Sequence, residues 1–154
     1  MKILEGGLDD PRVRALITHH SSSARAETAR DSAHALDVDA LKSPHIRFFA
    51  GWDGETVVAI GALKRLSPTH DELKSMHTAT SHRRRGVGAA MLEHLIATAR
   101  TMGMTSLNLE TGSWPYFDAA RAFYKRHGFV ECPPFGDYKP DPNSVFMTRS
   151  VANA

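Results

Sequence analysis

The run His82-Arg83-Arg84-Arg85-Gly86-Val87-Gly88-Ala89-Ala90 is the part of this sequence whose residue types could do chemistry together. It stands between a stretch that reads as a strand and the first turn of a helix that is apolar on most of its circumference. The first N–H groups of a helix have no internal partners and point outward with the positive end of the macrodipole. Gly86 and Gly88 let a ligand approach that main chain, and the neighbouring guanidinium groups add charge-assisted hydrogen bonds to phosphate oxygens. The segment therefore reads as an anion site. Two other phosphate motifs fail on spacing. A dinucleotide fingerprint needs a glycine or alanine three places after the second glycine, where Met91 stands, and a P-loop needs Gly-Lys-Ser/Thr where Gly88 is followed by Ala89 and Ala90.

The elements that must position this loop follow from periodicity. A strand is expected before residue 9. Residues 9–30 read as a helix behind Asp9, Asp10 and Pro11, and residues 31–42 as a second, shorter one carrying Ala35, Leu36 and Leu41 until Ser43-Pro44 stops it. Ile46–Trp52 and Glu55–Leu66 are rich in β-branched and aromatic residues and flank Asp53-Gly54, which predicts a hairpin. Pro68–Asp71 is then a turn and Glu72–Thr78 a third antiparallel strand. Val87–Met102 is the apolar helix, ended by Gly103. Ser106–Thr111 alternates Leu107 and Leu109 with Asn108 and Glu110, as a strand with one polar side would. A last helix carries Ala119, Ala122, Phe123 and Arg126 as one stripe and stops at His127-Gly128-Phe129. Residues 129–132 and 144–150 finish as strands joined by the proline-rich loop 133–142. The fold class is α/β of the α+β type: a mixed, mostly antiparallel twisted sheet flanked by helices. Its order is strand, two helices, three strands, helix, strand, helix, two strands.

In this setting Arg83, Gly86 and Gly88 match the Arg/Gln-x-x-Gly-x-Gly/Ala loop of the GNAT acetyltransferase superfamily, and the chain resembles that superfamily beyond the loop. Glu72–Thr78 stands where its fourth strand stands, and Ala120–Phe129 matches its A-x-x-x-Y-x-x-x-G-F signature. With the hairpin, these matches cover about two-thirds of the chain in the correct order. The resemblance implies direct transfer of an acetyl group from acetyl-CoA to an amine of a small molecule. It also implies a cofactor site made of Met76, His77 and Thr78 along the pantetheine arm, Arg83, Arg84, Arg85, Gly86, Val87, Gly88 and Ala89 at the pyrophosphate, and Phe123 and Tyr124 beside it. Main-chain pairing with a strand would grip an amide-bearing arm whatever the side chains, and the N–H of Met76 or His77 would polarise the thioester carbonyl. Tyr124 matches the family tyrosine that protonates the departing thiolate. Glu72 matches a carboxylate that takes a proton from the incoming ammonium, and an exposed strand-end carboxylate is the competing reading. Glu110 is a second base or a ligand for a cationic substrate, and Arg47 and Tyr138 are expected to contact the acceptor. The sequence departs from the pattern at Phe117, where asparagine is common in the family.

Composition bounds the alternatives. The chain has 154 residues, 42% hydrophobic and 23% charged, enough for one domain over 1–154 with a core of its own. No apolar run is long enough for a membrane span, and the first residues lack a basic patch followed by an apolar run, so neither a span nor a secretory signal is expected and a cytoplasmic location is. The single cysteine, Cys132, reads as a partly buried structural thiol. Nine histidines show no zinc-ligand spacing, so no metal is expected, and His77 and His82 read as surface or packing residues. The formal charge of +2 argues against a polyanion partner. The basic excess lies in the second half, with 9 basic against 6 acidic residues after position 81 and 10 against 11 before it. No aromatic platform accompanies the arginines, which argues against nucleic acid. A non-catalytic acyl-CoA-binding regulatory module is the alternative to an enzyme, and a homodimer is compatible with either.

Overall fold

The computed structural model describes residues 1–26 and 36–152. Seven strands form one sheet in the order β1-β2-β3-β4-β5-β7-β6. These are β1 (Lys2–Glu5), β2 (Ile46–Asp53), β3 (Thr56–Arg65), β4 (His70–Thr78), β5 (Ser106–Gly112), β6 (Val130–Cys132) and β7 (Ser144–Ser150). Every neighbouring pair is antiparallel except β4 and β5, which run parallel.

Helices cover both faces, as the two hydrophobic clusters show. On one face lie α3 (Val87–Thr101) and α4 (Asp118–Arg126), where Met91, Leu92, Leu95, Ile96 and Tyr124 pack on Phe49, Leu63, Leu73, Leu107 and Leu109. On the other face α1 (Pro11–Ala26) and the single-turn α2 (Val38–Leu41) bring Val13, Ile17 and Leu41 onto Phe48, Ala50, Ile60 and Ala62. The sheet buries opposite faces of alternate residues, so the β3 register sorts its partners: Ala62 opposes Lys74 and Ile60 opposes His77, placing both β4 side chains on the α1 face.

Most expected elements are present, with differences that have physical causes. Asp10 caps α1, its carboxylate accepting from Arg12 N at 2.8 Å, and Pro11 fills the first helical position, where a missing N–H costs nothing. Of the second helix expected over 31–42, the described part is the single turn Val38–Leu41. Residues 31–35 lie outside the described residues, and Asp37 accepts from Ala40 N at 2.9 Å, so the described turn begins at Val38. The turn before β4 is tighter than Pro68–Asp71. Ser67 Oγ accepts from the main chain of Thr69 and His70, and Asp71 already pairs with Arg65. The stripe expected on α4 is wrong: Ala119, Ala122 and Arg126 are exposed, and the packed face is Ala120, Phe123 and Tyr124. In a helix of nine residues two stripes fit the sequence, and Phe129, folded back so that its N–H bonds Tyr124 O at 3.0 Å, selects the one that meets it. Cys132 is a half-buried free thiol whose β6 position opposes Phe146.

Candidate active site

The feature that organises the site is a gap in the sheet. β4 and β5 are in register only from His70–Ser106 to Glu72–Asn108, although β4 runs on to Thr78 and β5 to Gly112. A bulge drives the divergence. The β3 register slips between Ile60 and Ala62, so Ser75 and Met76 share the place opposite Gly61, and Ser75 takes a φ of 54°. Gly61 accommodates this because a side chain there would strike Leu95 and the Met76 sulfur. Beyond Glu72, then, the β5-facing edge of β4 has no strand partner among the described residues. Among the described residues, two side-chain atoms of β4, Ser75 Oγ and His77 Nε2, are buried without a hydrogen bond. The main-chain groups of an unpaired strand edge are what a hydrogen-bonding ligand would satisfy.

At the far end of β4 the chain makes a 3-10 turn, Thr80–His82, and then the arginine-glycine loop. Arg84 and Gly86 both have left-handed backbones, with φ of 64° and 77°. Gly86 caps α3 and has nothing within 4 Å of where a side chain would stand, so the first turn of α3 is open to solvent. Gly88 is different: a Cβ there would lie 3.3 Å from Thr78 Oγ1 and 3.7 Å from the Phe123 ring. Met76, His77, Thr78, the loop Arg83–Ala89 and Phe123 are thus gathered along one line from the gap to the helix N-terminus. Arg83, Arg84 and Arg85 are exposed there, and the site collects positive dipole, positive side chains and bare main chain.

Tyr124 lies one residue on from Phe123, on the α3 and α4 face. Its ring contacts Phe123 and Phe129 with centroids 5.4 and 5.6 Å apart, and burial raises its phenol well above the usual value.

The other face of the gap is polar. Glu72 is 2% exposed, which disposes of the exposed strand-end carboxylate. Its Oε2 lies 3.2 Å from Lys74 Nζ and accepts from the Tyr138 hydroxyl at 2.6 Å, while Lys74 donates to Tyr138 Oη at 2.9 Å. Tyr138 belongs to the loop between β6 and β7, where its ring meets Phe135 and Phe146, so that loop is strapped across the strand edge. Glu110 follows Asn108 by two residues and so projects from the same face of β5. It accepts from Ser144 Oγ at 2.7 Å, and burial, with Glu72 and Asp141 nearby, pushes its carboxyl up to about 7 against the opposing pull of Ser144 and Lys74. Asn108 holds the fork where β4 and β5 part, donating to Asp71 O and accepting from Thr148.

Glu72, Glu110 and Tyr138 are therefore brought together, and Arg47 is not among them. Arg47 shares its face of β2 with Phe49, whose ring meets His94 of α3, and its guanidinium binds Glu5 at 2.7 Å on the opposite side of the sheet. Lys74, Ser144 and Asp141 belong to the site although their types alone gave no signal. Lys74 was nonetheless legible as the residue two after Glu72 on a strand, hence on the same face. Phe117 takes a packing position: its ring lies against Gly112, where no side chain would fit, and Arg121 binds Gly112 O and Asp118 beside it. His77 packs among α1 histidines, 3.1 Å from His20 Nδ1, and burial lowers both imidazoles, to about 3 for His77 and about 4 for His20. His82 lies 3.4 Å from Asp53. Among the described residues no group of three ligating side chains could hold a metal ion, and no helix is long and apolar enough to cross a membrane.

The Acetyltransferase (GNAT) family profile matches residues 13–129. The chain is 43% identical over 144 residues to the N-acetyltransferase YedL of Escherichia coli K12, an alignment covering 94% of this chain and 91% of that one. It is 42% identical over 151 residues to the N-acetyltransferase YsnE of Bacillus subtilis 168, covering 98% and 100%. A solved structure assigned as an acyl-CoA N-acyltransferase of Klebsiella pneumoniae superposes with a TM-score of 0.80 at 27% identity, over 97% of each chain.

Proposed function

The chain belongs to the GNAT acetyltransferase family, and we propose that it moves an acetyl group from acetyl-CoA directly onto the amine of a small molecule in a ternary complex. The observation that carries this reading is the unpaired edge of β4 leading to the glycine-opened start of α3. Acetyl-CoA supplies the activated acetyl thioester. The residues fit such a ligand: the edge of β4 from Met76 to Thr78 can pair with the amides of its arm. Gly86, Val87, Gly88 and Ala89 with Arg83, Arg84 and Arg85 can hold its pyrophosphate, and Phe123 lines the bend between them.

The two faces of the gap divide the proton work. Tyr124 gives a proton to the departing sulfur from the α4 side, and burial keeps its phenol protonated throughout the working pH range. On the acceptor side Glu110 takes the proton of the ammonium. Its carboxyl is poised near neutrality, where a base is most effective, whereas Glu72 is engaged by Lys74 and Tyr138. Glu72 and Tyr138 form the wall against which the amine sits. The N–H of Met76 or His77 polarises the carbonyl. Residues 1–154 act as one domain in the cytoplasm.

Thiol release from acetyl-CoA across a panel of amines tests this reading. Tyr124→Phe and Glu110→Gln should each lower kcat by on the order of 10²-fold with the fold intact. Turnover unchanged in both variants would overturn the roles assigned.

A further inference from the structure

Lys74 is a cation set among three acids. Its side chain is 10% exposed, and its Nζ reaches both Glu72 Oε2 and Tyr138 Oη. Resting on the reading of Glu110 as the proton acceptor, we propose that Lys74 is a positioning residue for acetyl transfer, its ammonium holding Glu72 and Tyr138 in place as the acceptor wall and serving as the counter-charge to Glu110.

The groups that face Glu110 come from three elements. β4 contributes Lys74 and Glu72, the loop before β7 contributes Asp141 and Tyr138, and β7 contributes the neutral hydroxyl of Ser144. Lys74 and Ser144 favour the carboxylate form of Glu110, and burial, Glu72 and Asp141 oppose it. Glu72 cannot relieve this, because its negative charge is itself directed at Lys74 and at the hydroxyl of Tyr138. Removing the ammonium would leave three carboxyl groups sharing one side of the gap. It would also remove a bond that holds the Phe135–Tyr138 segment over β4. An opposite charge near a carboxylate lowers its titration by roughly one to three units, and Lys74 acts on Glu110 in that direction, so its loss should raise that of Glu110, by about one unit at the low end of this range. At pH 7 this reduces the ionised fraction from about one-half to about one-tenth, and kcat/KM should fall about fivefold with it.

The test follows Glu110 directly, by the ¹³C shift of its side-chain carboxyl across pH, assigned with Glu110→Gln. It also follows the acid limb of kcat/KM for the amine most active in thiol release. Both are measured in wild type, Lys74→Met and Lys74→Arg, with folding monitored by circular dichroism. The expected result is that Lys74→Met moves the Glu110 midpoint and the acid limb upward together by about one unit and that Lys74→Arg returns both towards wild type. Should Lys74→Met not fold, Lys74→Gln, which keeps a polar contact to Tyr138, carries the same expectation. An unmoved Glu110 midpoint overturns the inference about Lys74 alone. A midpoint that moves while the acid limb stays still overturns Glu110 as the proton acceptor, and the part of Lys74 in the reaction falls with it.

Discussion

Replacing Glu110 by glutamine should make the protein more stable above neutral pH and leave it unchanged in acid. The carboxyl titrates near 7 in the folded chain against an ordinary value of 4.5. Below about pH 3.5 it is neutral whether the chain is folded or not, and no penalty exists. As the pH rises towards 7 the unfolded chain releases the proton while the folded one retains it, so stability declines until the folded pKa is passed. A gap of about 2.5 units corresponds to at most about 3 kcal/mol. Glutamine has nearly the same shape, can accept the Ser144 hydroxyl in place of the carboxylate, and has no charge to desolvate. Thermal unfolding of wild type and Glu110→Gln at about pH 3.5 and about pH 8.5 reads the difference. For a chain of this length the variant should melt about 6–12 °C higher at about pH 8.5, with the two proteins coincident at about pH 3.5. Parallel stability curves for the two proteins across that range would refute the argument, because they would mean that Glu110 is solvated like an ordinary surface carboxylate.

Two further substitutions examine the cofactor end and the closure of β5. Gly86→Val places a β-branched residue at a φ of 77° and a side chain in open space at the start of α3. CoA affinity measured by calorimetry should fall roughly tenfold or more, equivalent to about 1.4 kcal/mol, and affinity equal to wild type would remove the pyrophosphate loop from the account. Gly112→Ala drives a methyl group into the Phe117 ring and should cost about 1–3 kcal/mol by overpacking. Adding Phe117→Ala should abolish the clash, and a double-mutant cycle with no coupling would show that the ring does not press on Gly112.

The placement of the arginine-glycine loop at the start of α3 was legible because everything that shapes it is contiguous, with glycines, guanidiniums and the first N–H groups of the helix within nine residues. The stop at Gly128 was legible for the same reason, and so was a hairpin around Gly54, but its turn falls one residue later than the expected Asp53-Gly54: Asp53 pairs with Thr56, so Gly54 and Glu55 make the turn. The sequence could not say which way a side chain faces when two faces are open. Arg47 was expected at the acceptor, yet strand register turns it to the α3 face, where Glu5 pairs with it. The α4 stripe failed similarly, because Phe129 decides which side of a short helix is buried.

Sequence alone determined the family and the order of elements, and it nominated Tyr124, Glu72 and Glu110 as candidates. Tertiary structure decided what those carboxyl groups can do. Glu72 and Tyr138 are 66 residues apart in the chain and 2.6 Å apart in the fold. Only the packing of the loop over the parting of β4 and β5 ties Glu72 to Lys74 and Tyr138 and leaves Glu110 poised near neutrality. Helix starts and turns depend on neighbours in the chain, whereas the ease of ionising a carboxyl depends on which distant charges share its burial.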